Sequence, residues 1–359
     1  MKFLVISDPR FEDDHLASYR QKLCDELVVA GHSVSVLLKL PTYFLKALSL
    51  ARSADAIFVP NFPSIAMTAL TIAKLFKKKL FVKVVGDYAW ESAIGRGDTF
   101  FLINDFQKTK RSGWSGVMHG RQVKLCRTAE NVLVESDFLA NIIRGWGIDG
   151  GKIRVVSGGI DFMKSELSKE EARKQIGIPG NIILSAGQLV PWRGFRMLIK
   201  IMPQLLAINQ FFRLVIVGSG SEHGKLQPII KNLGLDKKVF LVGNKNEEES
   251  AWFRAAADLF VLNTSYEGFP YCTLEAMFDG IPVITTAACA NPELIKQGEN
   301  GFMVKYNDEF NLVEAIKTIW QTPELRERFV EKGRETAEQF SIEKTIKETV
   351  KTLTGNIEK

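Results

Sequence analysis

Short apolar runs rich in Val, Ile and Leu alternate along the chain with longer segments in which apolar residues recur every three to four positions. This is the pattern of a parallel sheet wrapped by helices. In the first part, residues 3–7, 33–37, 56–59, 80–85 and 131–134 read as strands, and residues 16–30 as an amphipathic helix ended by Gly31. The alternation restarts at 181–186 and continues through 211–217, 238–242, 259–263 and 282–285. Between the two series, residues 157–179 hold Ser157-Gly158-Gly159, a charged stretch over 164–174, and Gly177 followed by Pro179, the composition of a linker. The expectation is two doubly wound α/β domains, residues 1–165 and 166–335, with a helical tail over 336–359 packing across their junction. Two such domains facing one another enclose a cleft at the carboxyl ends of both sheets, where open α/β sheets bind ligands.

The length of 359 residues excludes a single small module, and 46% apolar with 25% charged residues is enough to bury a sizeable core. No apolar run approaches the roughly 20 residues of a membrane span. The opening MKFLVIS meets Asp8-Pro9-Arg10 at once and reads as a first strand rather than a signal peptide. Cys24, Cys126, Cys272 and Cys289 are widely spaced, so neither a zinc site nor a disulfide framework is expected, and a reducing cytoplasm is the natural compartment. The formal charge of +6 is uneven. Residues 1–165 carry 23 Lys and Arg against 16 Asp and Glu; the remainder carries 24 against 25. An anionic partner for the first domain follows, whether lipid surface, nucleic acid or phosphorylated substrate.

The most informative segment is LNTSYEGFPYCTLEAMFD, residues 262–279. It leaves a strand, passes Gly268 and Pro270 and opens a helix. Glu267 lies in the loop and Glu275 lies one turn into the helix. The amides of Tyr271, Cys272 and Thr273 between them form a phosphate site at a helix N-terminus, flanked by two carboxylates suited to sugar hydroxyls. The bland alternative makes Glu267 a helix cap and Glu275 a solvated surface residue. A second segment, IILSAGQLVPWRG over 182–194, runs from a strand through a glycine turn to Arg193, placed either to reach a diphosphate or simply on a surface turn. Val217-Gly218-Ser219-Gly220 follows another strand, but its third glycine position is His223, so it fails as a dinucleotide fingerprint.

The paired glutamates in their E-G-F-P setting resemble the signature of the family 4 retaining glycosyltransferases, of GT-B fold. The resemblance implies that Glu267 contacts the donor hexose and Glu275 the nucleotide ribose. It makes Gly187, Gln188, Arg193, Gly218, Phe269 and the Tyr271, Cys272 and Thr273 amides further donor-site residues. Asn244 and Lys245, after FLVG, are the implied neighbours of the base. Gln188 stands where the family has arginine; an amide can hydrogen-bond a phosphate but supplies no full charge. Gly280-Ile281-Pro282-Val283, Asn291-Pro292-Glu293 and Gly298 to Phe302 continue the likeness, with structural roles for Glu293 and the last glycines.

The first domain resembles the family more loosely. Gly31-His32-Ser33-Val34 and Ser157 to Asp161 match, with His32 a structural residue at a helix end, but the glycine-rich loop expected after the first strand is replaced by DPRFEDDH over 8–15. After the fourth strand, Asp87 takes the place of a histidine and either orients an acceptor hydroxyl or caps the next helix. Tyr88 and Trp90 are the candidate platform for an acceptor sugar ring. Residues 95–127 read as a long irregular stretch in which Lys108, Lys110, Arg111, Arg121, Lys124 and Arg127 interleave with Phe100, Phe101, Phe106 and Trp114. With Lys74, Lys77, Lys78 and Lys79 they form a face for anionic lipid headgroups and a lipid-linked acceptor, or a solvated basic face.

The resemblance thus implies a metal-independent hexosyltransferase, with Arg193, Glu267 and Asp87 as its catalytic residues. A nucleoside diphosphate sugar is the donor and a hydroxyl compound the acceptor, in cell-envelope polysaccharide or glycolipid synthesis, in the cytoplasm or on the inner membrane face. No cofactor and no nucleic acid are expected. A nucleotide-sugar epimerase, a non-catalytic sugar-nucleotide binder and a nucleic-acid-binding protein are the alternatives.

Overall fold

The computed structural model describes residues 1–9, 14–39, 43–61, 65–161 and 163–355. Residues 10–13 of the segment after the first strand lie outside them. The chain forms two compact units, one made of Met1–Gly159 and Ile342–Lys359, the other of Ile160–Ser341.

The strands of the first unit are β1 (Lys2–Ser7), β2 (Ser33–Leu38), β3 (Ala56–Val59), β4 (Lys79–Val84), β5 (Asn131–Val134) and β6 (Ile153–Val155). They pair in parallel in the order β2-β1-β3-β4-β5-β6. The helices are α1 (Asp14–Val29), α2 (Tyr43–Ser53), α3 (Ala66–Leu75), α4 (Tyr88–Arg96), α5 (Ile103–Lys108), α6 (Gly113–Thr128) and α7 (Asp137–Gly145). β3 is buried at every position, as a parallel strand covered on both faces must be.

The second unit contains α8 (Lys169–Ile176), β7 (Asn181–Ala186), α9 (Phe195–Ile208), β8 (Phe212–Val217), α10 (His223–Asn232), β9 (Val239–Gly243) and α11 (Glu247–Ala256). It continues with β10 (Leu259–Val261), α12 (Tyr271–Phe278), β11 (Val283–Thr286), α13 (Asn291–Leu294), β12 (Phe302–Val304), α14 (Glu309–Gln321) and α15 (Pro323–Ala337). The order β12-β11-β10-β7-β8-β9 is again all parallel and reverses direction between β7 and β10, which is the topological switch point. The period-two alternation of each strand is visible in the core. Ile183, Leu214 and Ile216 join one apolar layer, while Ile182, Leu184, Val215 and Val217 join the other.

The last helix, α16 (Ile342–Thr354), returns to the first unit. Its buried face, Ile342, Thr345, Ile346, Thr349 and Leu353, has helical spacing and joins Phe3, Leu23 and Leu27 in one core. The Tyr19 hydroxyl meets Thr349 Oγ1 at 3.1 Å.

Three features depart from the sequence pattern. β6 and β12 were not expected; each is a three-residue sheet edge, β6 interrupted by Arg154 and β12 apolar but only partly buried at Phe302 and Met303. The stretch 95–127, expected to be irregular, contains α5 and most of α6. Gly113, Gly116 and Gly120 lower the helix propensity of α6, but Met118, Gln122, Leu125 and Cys126 recur on one face, and burying that face forms the helix.

Candidate functional site

The switch point of the second unit gathers most of the residues singled out from the sequence. β7 ends at Ala186 and the backbone turns through Gly187 with φ +135°, a conformation open to glycine. A Cβ there would sit 3.1 Å from Nη1 of Arg193, so the guanidinium lies directly over this turn. Gly218, after β8, has φ +137°, and a Cβ at that position would collide with the Gly187 carbonyl. Gly194 has φ +62°, and a Cβ there would collide with the Asn263 carbonyl. These approaches pull the loops after β7, β8 and β10 together at the carboxyl edge of the sheet. Asn263, missed as a contributor, completes the junction by donating from Nδ2 to Asn307 Oδ1 at 2.9 Å.

Here Arg193 meets Glu267, with Nη1 2.5 Å from Oε1. Glu267 is buried, and burial pushes its carboxyl up to about 7 against the opposing pull of Arg193 and Thr264. The contact is an ion pair without an aligned hydrogen bond. Glu267 Oε1 and Arg193 Nε are both buried and have no hydrogen-bond partner. An unmet acceptor and an unmet donor therefore stand side by side, the polarity that a hydroxyl and a phosphate oxygen would satisfy.

α12 begins beside this pair. Its first intrahelical bond runs from the Leu274 amide to the Pro270 carbonyl, leaving the Cys272 and Thr273 amides without helical acceptors. The amide of Tyr271, expected to share in phosphate binding, instead donates to the Phe269 carbonyl at 3.0 Å. Phe269, expected at the donor site, has its side chain in the core, edge-on to Tyr271 at 5.0 Å between ring centres. The Cys272 thiol is pushed up to about 12 by burial and lies within the fields of Glu275, Arg193, Glu267 and Arg254.

Glu275 is neither solvated nor unpaired. Its Oε2 lies 3.5 Å from Nη1 of Arg254, a buried residue of α11. Arg254 also holds Asp279 Oδ2 at 2.5 Å and Glu247 Oε1 at 2.9 Å. These carboxylates raise the guanidinium's already high affinity for its proton, despite its burial. No i, i+4 pattern in the sequence marks Arg254, because Glu247 lies seven residues before it on α11 and Glu275 and Asp279 come from α12 and its C-cap.

Gln188 directly follows Gly187 in the turn under Arg193 and is exposed. Asn244 is exposed at the end of β9, two strands or about 10 Å from β7. Lys245 pairs with Glu249 at 3.3 Å. In the first unit, Asp87 is fully buried as the N-cap of α4, accepting from the Ala89 and Trp90 amides and, at 2.7 Å, from Gln107 Nε2. Its capping role displaces the acceptor-facing one. Trp90 is also fully buried and donates from Nε1 to the Phe101 carbonyl, so it provides no platform for a sugar; Tyr88 is half-buried. Among the described residues, no group of three or more His, Cys, Asp or Glu side chains is placed to hold a metal ion. No helix among them is long and apolar enough to cross a membrane.

Two parallel, doubly wound six-stranded sheets define an α/β protein of the GT-B type. Residues 168–336 match the model of the family described as glycosyl transferases group 1. The chain is 32% identical over 163 residues to the lipopolysaccharide core biosynthesis glycosyltransferase LpsE of Rhizobium meliloti, covering 45% of this chain and 46% of that protein. It is 30% identical over 191 residues to the putative colanic acid biosynthesis glycosyltransferase WcaL of Salmonella typhimurium, covering 52% and 46% respectively. Each match spans about half the relative's length. In fold it is similar to Anabaena Alr3699/HepE in complex with UDP and glucose, with a TM-score of 0.81 at 19% identity over 99% of this chain and 100% of that one.

Proposed function

We propose that the protein is a retaining glycosyltransferase of family 4 that moves a hexose from a nucleoside diphosphate sugar to a hydroxyl acceptor in cell-envelope polysaccharide or glycolipid synthesis. The observation that carries this reading is the unsatisfied Arg193–Glu267 pair beside two free amides at the start of α12. Glu267 accepts hydrogen bonds from the hexose hydroxyls. Arg193 and the Cys272 and Thr273 amides hold the diphosphate and neutralise the charge that develops on it as the glycosidic bond breaks. Glu275, oriented by Arg254, receives the ribose hydroxyls. A phosphate oxygen of the donor takes the acceptor proton. With the leaving-group charge met by the protein's own donors, transfer proceeds without a divalent cation.

Thermal unfolding in the presence of a panel of nucleoside diphosphate sugars, followed by transfer and hydrolysis assays with EDTA, tests the reading. One donor should raise the melting temperature, and Arg193→Ala should abolish the rise. A panel without any stabilising nucleotide sugar, or a stabilising one neither transferred nor hydrolysed, refutes the transferase assignment. Loss of transfer on adding EDTA refutes metal independence.

The first unit is proposed as the acceptor side, resting on an anionic membrane. Phe100 is 92% exposed, and Phe101, Trp114 and Val117 are exposed nearby in sequence, among the basic residues of α6. Vesicles containing anionic lipid should bind the protein at low salt, and Phe100→Ser should weaken that binding. Equal binding to neutral vesicles removes the charge-based part of the proposal.

A further inference from the structure

Each of the two sheets ends on two edge strands, and three of these four edges carry a feature that discourages pairing with another chain. β6 is three residues long and contains Arg154, and β12 is three residues long. The pairing of β9 with β8 shifts register between Ile216 and Val217, and Lys237, Lys238 and Lys245 flank β9. β2 has none of these features. Ser33–Leu38 runs for six residues in unbroken register with β1, without a charge or a proline, and Ser33, Ser35 and Val36 are exposed.

The pairing with β1 decides which backbone groups of β2 are spent. The Ser33 amide donates to the Met1 carbonyl and the Lys39 amide to the Ser7 carbonyl. With Leu4 opposite Ser35 and Ile6 opposite Leu37, the odd-numbered residues of β2 turn their amides and carbonyls to β1. Val34, Val36 and Leu38 turn theirs off the sheet, where no described residue bonds them. Their side chains share one face, the face on which Val34 packs against the core that contains Leu23 and Leu27 of α1. Val36 is 41% exposed, and α1 ends beside this strand on Val28 and Val29, which are 57% and 80% exposed.

We propose that β2 pairs antiparallel with β2 of a second copy of this chain, across a two-fold axis at Val36. Val36 then opposes its own copy, and Val34 opposes Leu38 on either side of the axis. Each of these pairs exchanges both of its amide–carbonyl bonds, so every backbone group left over by β1 is satisfied. The two-fold axis selects a second copy rather than another strand. It sets residues near the axis against themselves, so any charge there would meet its like; β2 carries none, although the chain as a whole is +6. Aliphatic side chains face each other along the whole row instead. With one such edge per chain among the described residues, pairing closes at the dimer and joins two six-stranded sheets into one. It uses no part of the Arg193–Glu267 site and stands apart from the proposed transfer chemistry.

Sedimentation velocity of the full-length protein over about 1–200 μM should show the weight-average mass rising towards twice that of the monomer. Val36→Lys sets like charges against each other on the axis, and Val36→Pro removes the outward amide at an edge position that tolerates proline; each should weaken association by about tenfold or more. Val36→Lys lies at an exposed position and should keep the parent's melting temperature at low concentration, so it decides the matter even where the proline variant does not fold. In an antiparallel hydrogen-bonded pair the two Cα atoms at position 36 lie about 5.5 Å apart, within reach of a disulfide. Val36→Cys should therefore give an oxidised dimer, split by a thiol reductant, above the level seen with the parent. Ser35→Cys, on the opposite face and offset from its own copy, should not. A monomer over the whole range, association undiminished by Val36→Lys, or cross-linking through Ser35→Cys as efficient as through Val36→Cys overturns the inference.

Discussion

Arg254→Ala tests whether the charge cluster beneath α12 is held by one buried cation. Arg254 Nη1 lies 3.5 Å from Glu275 Oε2, where a pair of unit charges interacts by about 5 kcal/mol at an effective dielectric of 20. Asp279 is nearer still, at 2.5 Å. Part of this attraction offsets the desolvation of the charges themselves, so the quantity that matters is the cost of leaving carboxylates buried without their partner, about 3–5 kcal/mol. Spread over a unit running from Ile160 to Ser341, this corresponds to a melting-temperature loss of about 6–20 °C. The loss should depend on pH. Burial already raises the Asp279 pKa despite Arg254, and removing the cation raises it further. A raised folded-state pKa gives stability that is fully present below the unfolded value and is lost as pH rises through the folded one. The variant's deficit should therefore be small at pH 4 and full at pH 8, as measured by differential scanning calorimetry. A deficit under about 3 °C at pH 8, or one of equal size at both pH values, would show that the carboxylates do not depend on Arg254 as argued.

Glu267→Gln should gain stability relative to the parent as pH rises from 5 to 8. The parent carboxyl, raised to about 7, contributes stability below about 4.5 that fades as pH passes 7, an effect of up to about 3 kcal/mol. Parallel melting-temperature profiles would contradict the burial argument. Gly218→Ala should abolish nucleotide-sugar binding in calorimetry and lower the melting temperature, since its methyl group would collide with the Gly187 carbonyl; normal affinity would show that the turns need not approach so closely. Asp87→Ala should destabilise the first unit by about 1–3 kcal/mol through loss of the α4 cap and of the Gln107 acceptor. It should leave donor affinity unchanged, and a selective loss of acceptor turnover without loss of stability would restore the acceptor-facing role.

The sequence was most legible where periodicity and glycine placement act locally. The strands from 56–59 to 282–285 stood out because a parallel strand buried on both faces is a continuous apolar run, whereas β6 and β12 at the edges are three residues long and partly exposed. Arg193, Glu267 and Glu275 were visible because a strand, a glycine turn and a helix start are consecutive in the chain. Arg254 was invisible because Glu275 and Asp279 meet it only after α11 and α12 pack, and its third partner, Glu247, lies two turns earlier on α11 itself, outside the usual i, i+4 spacing.

By itself, the order of residues determined two doubly wound α/β domains, since these follow from patterns repeated over a few residues, whereas the boundary it suggested, at 165/166, lies a few residues beyond the Gly159/Ile160 division of the structure. Tertiary structure alone decided which polar groups are spent and which are left over. It used Asp87 and the Tyr271 amide on internal partners and buried Trp90. It left Glu267 Oε1, Arg193 Nε and His119 Nδ1 buried without a hydrogen bond. The physical reason is that hydrogen-bond satisfaction and desolvation depend on every neighbour brought within a few ångströms, and those neighbours come from distant parts of the chain.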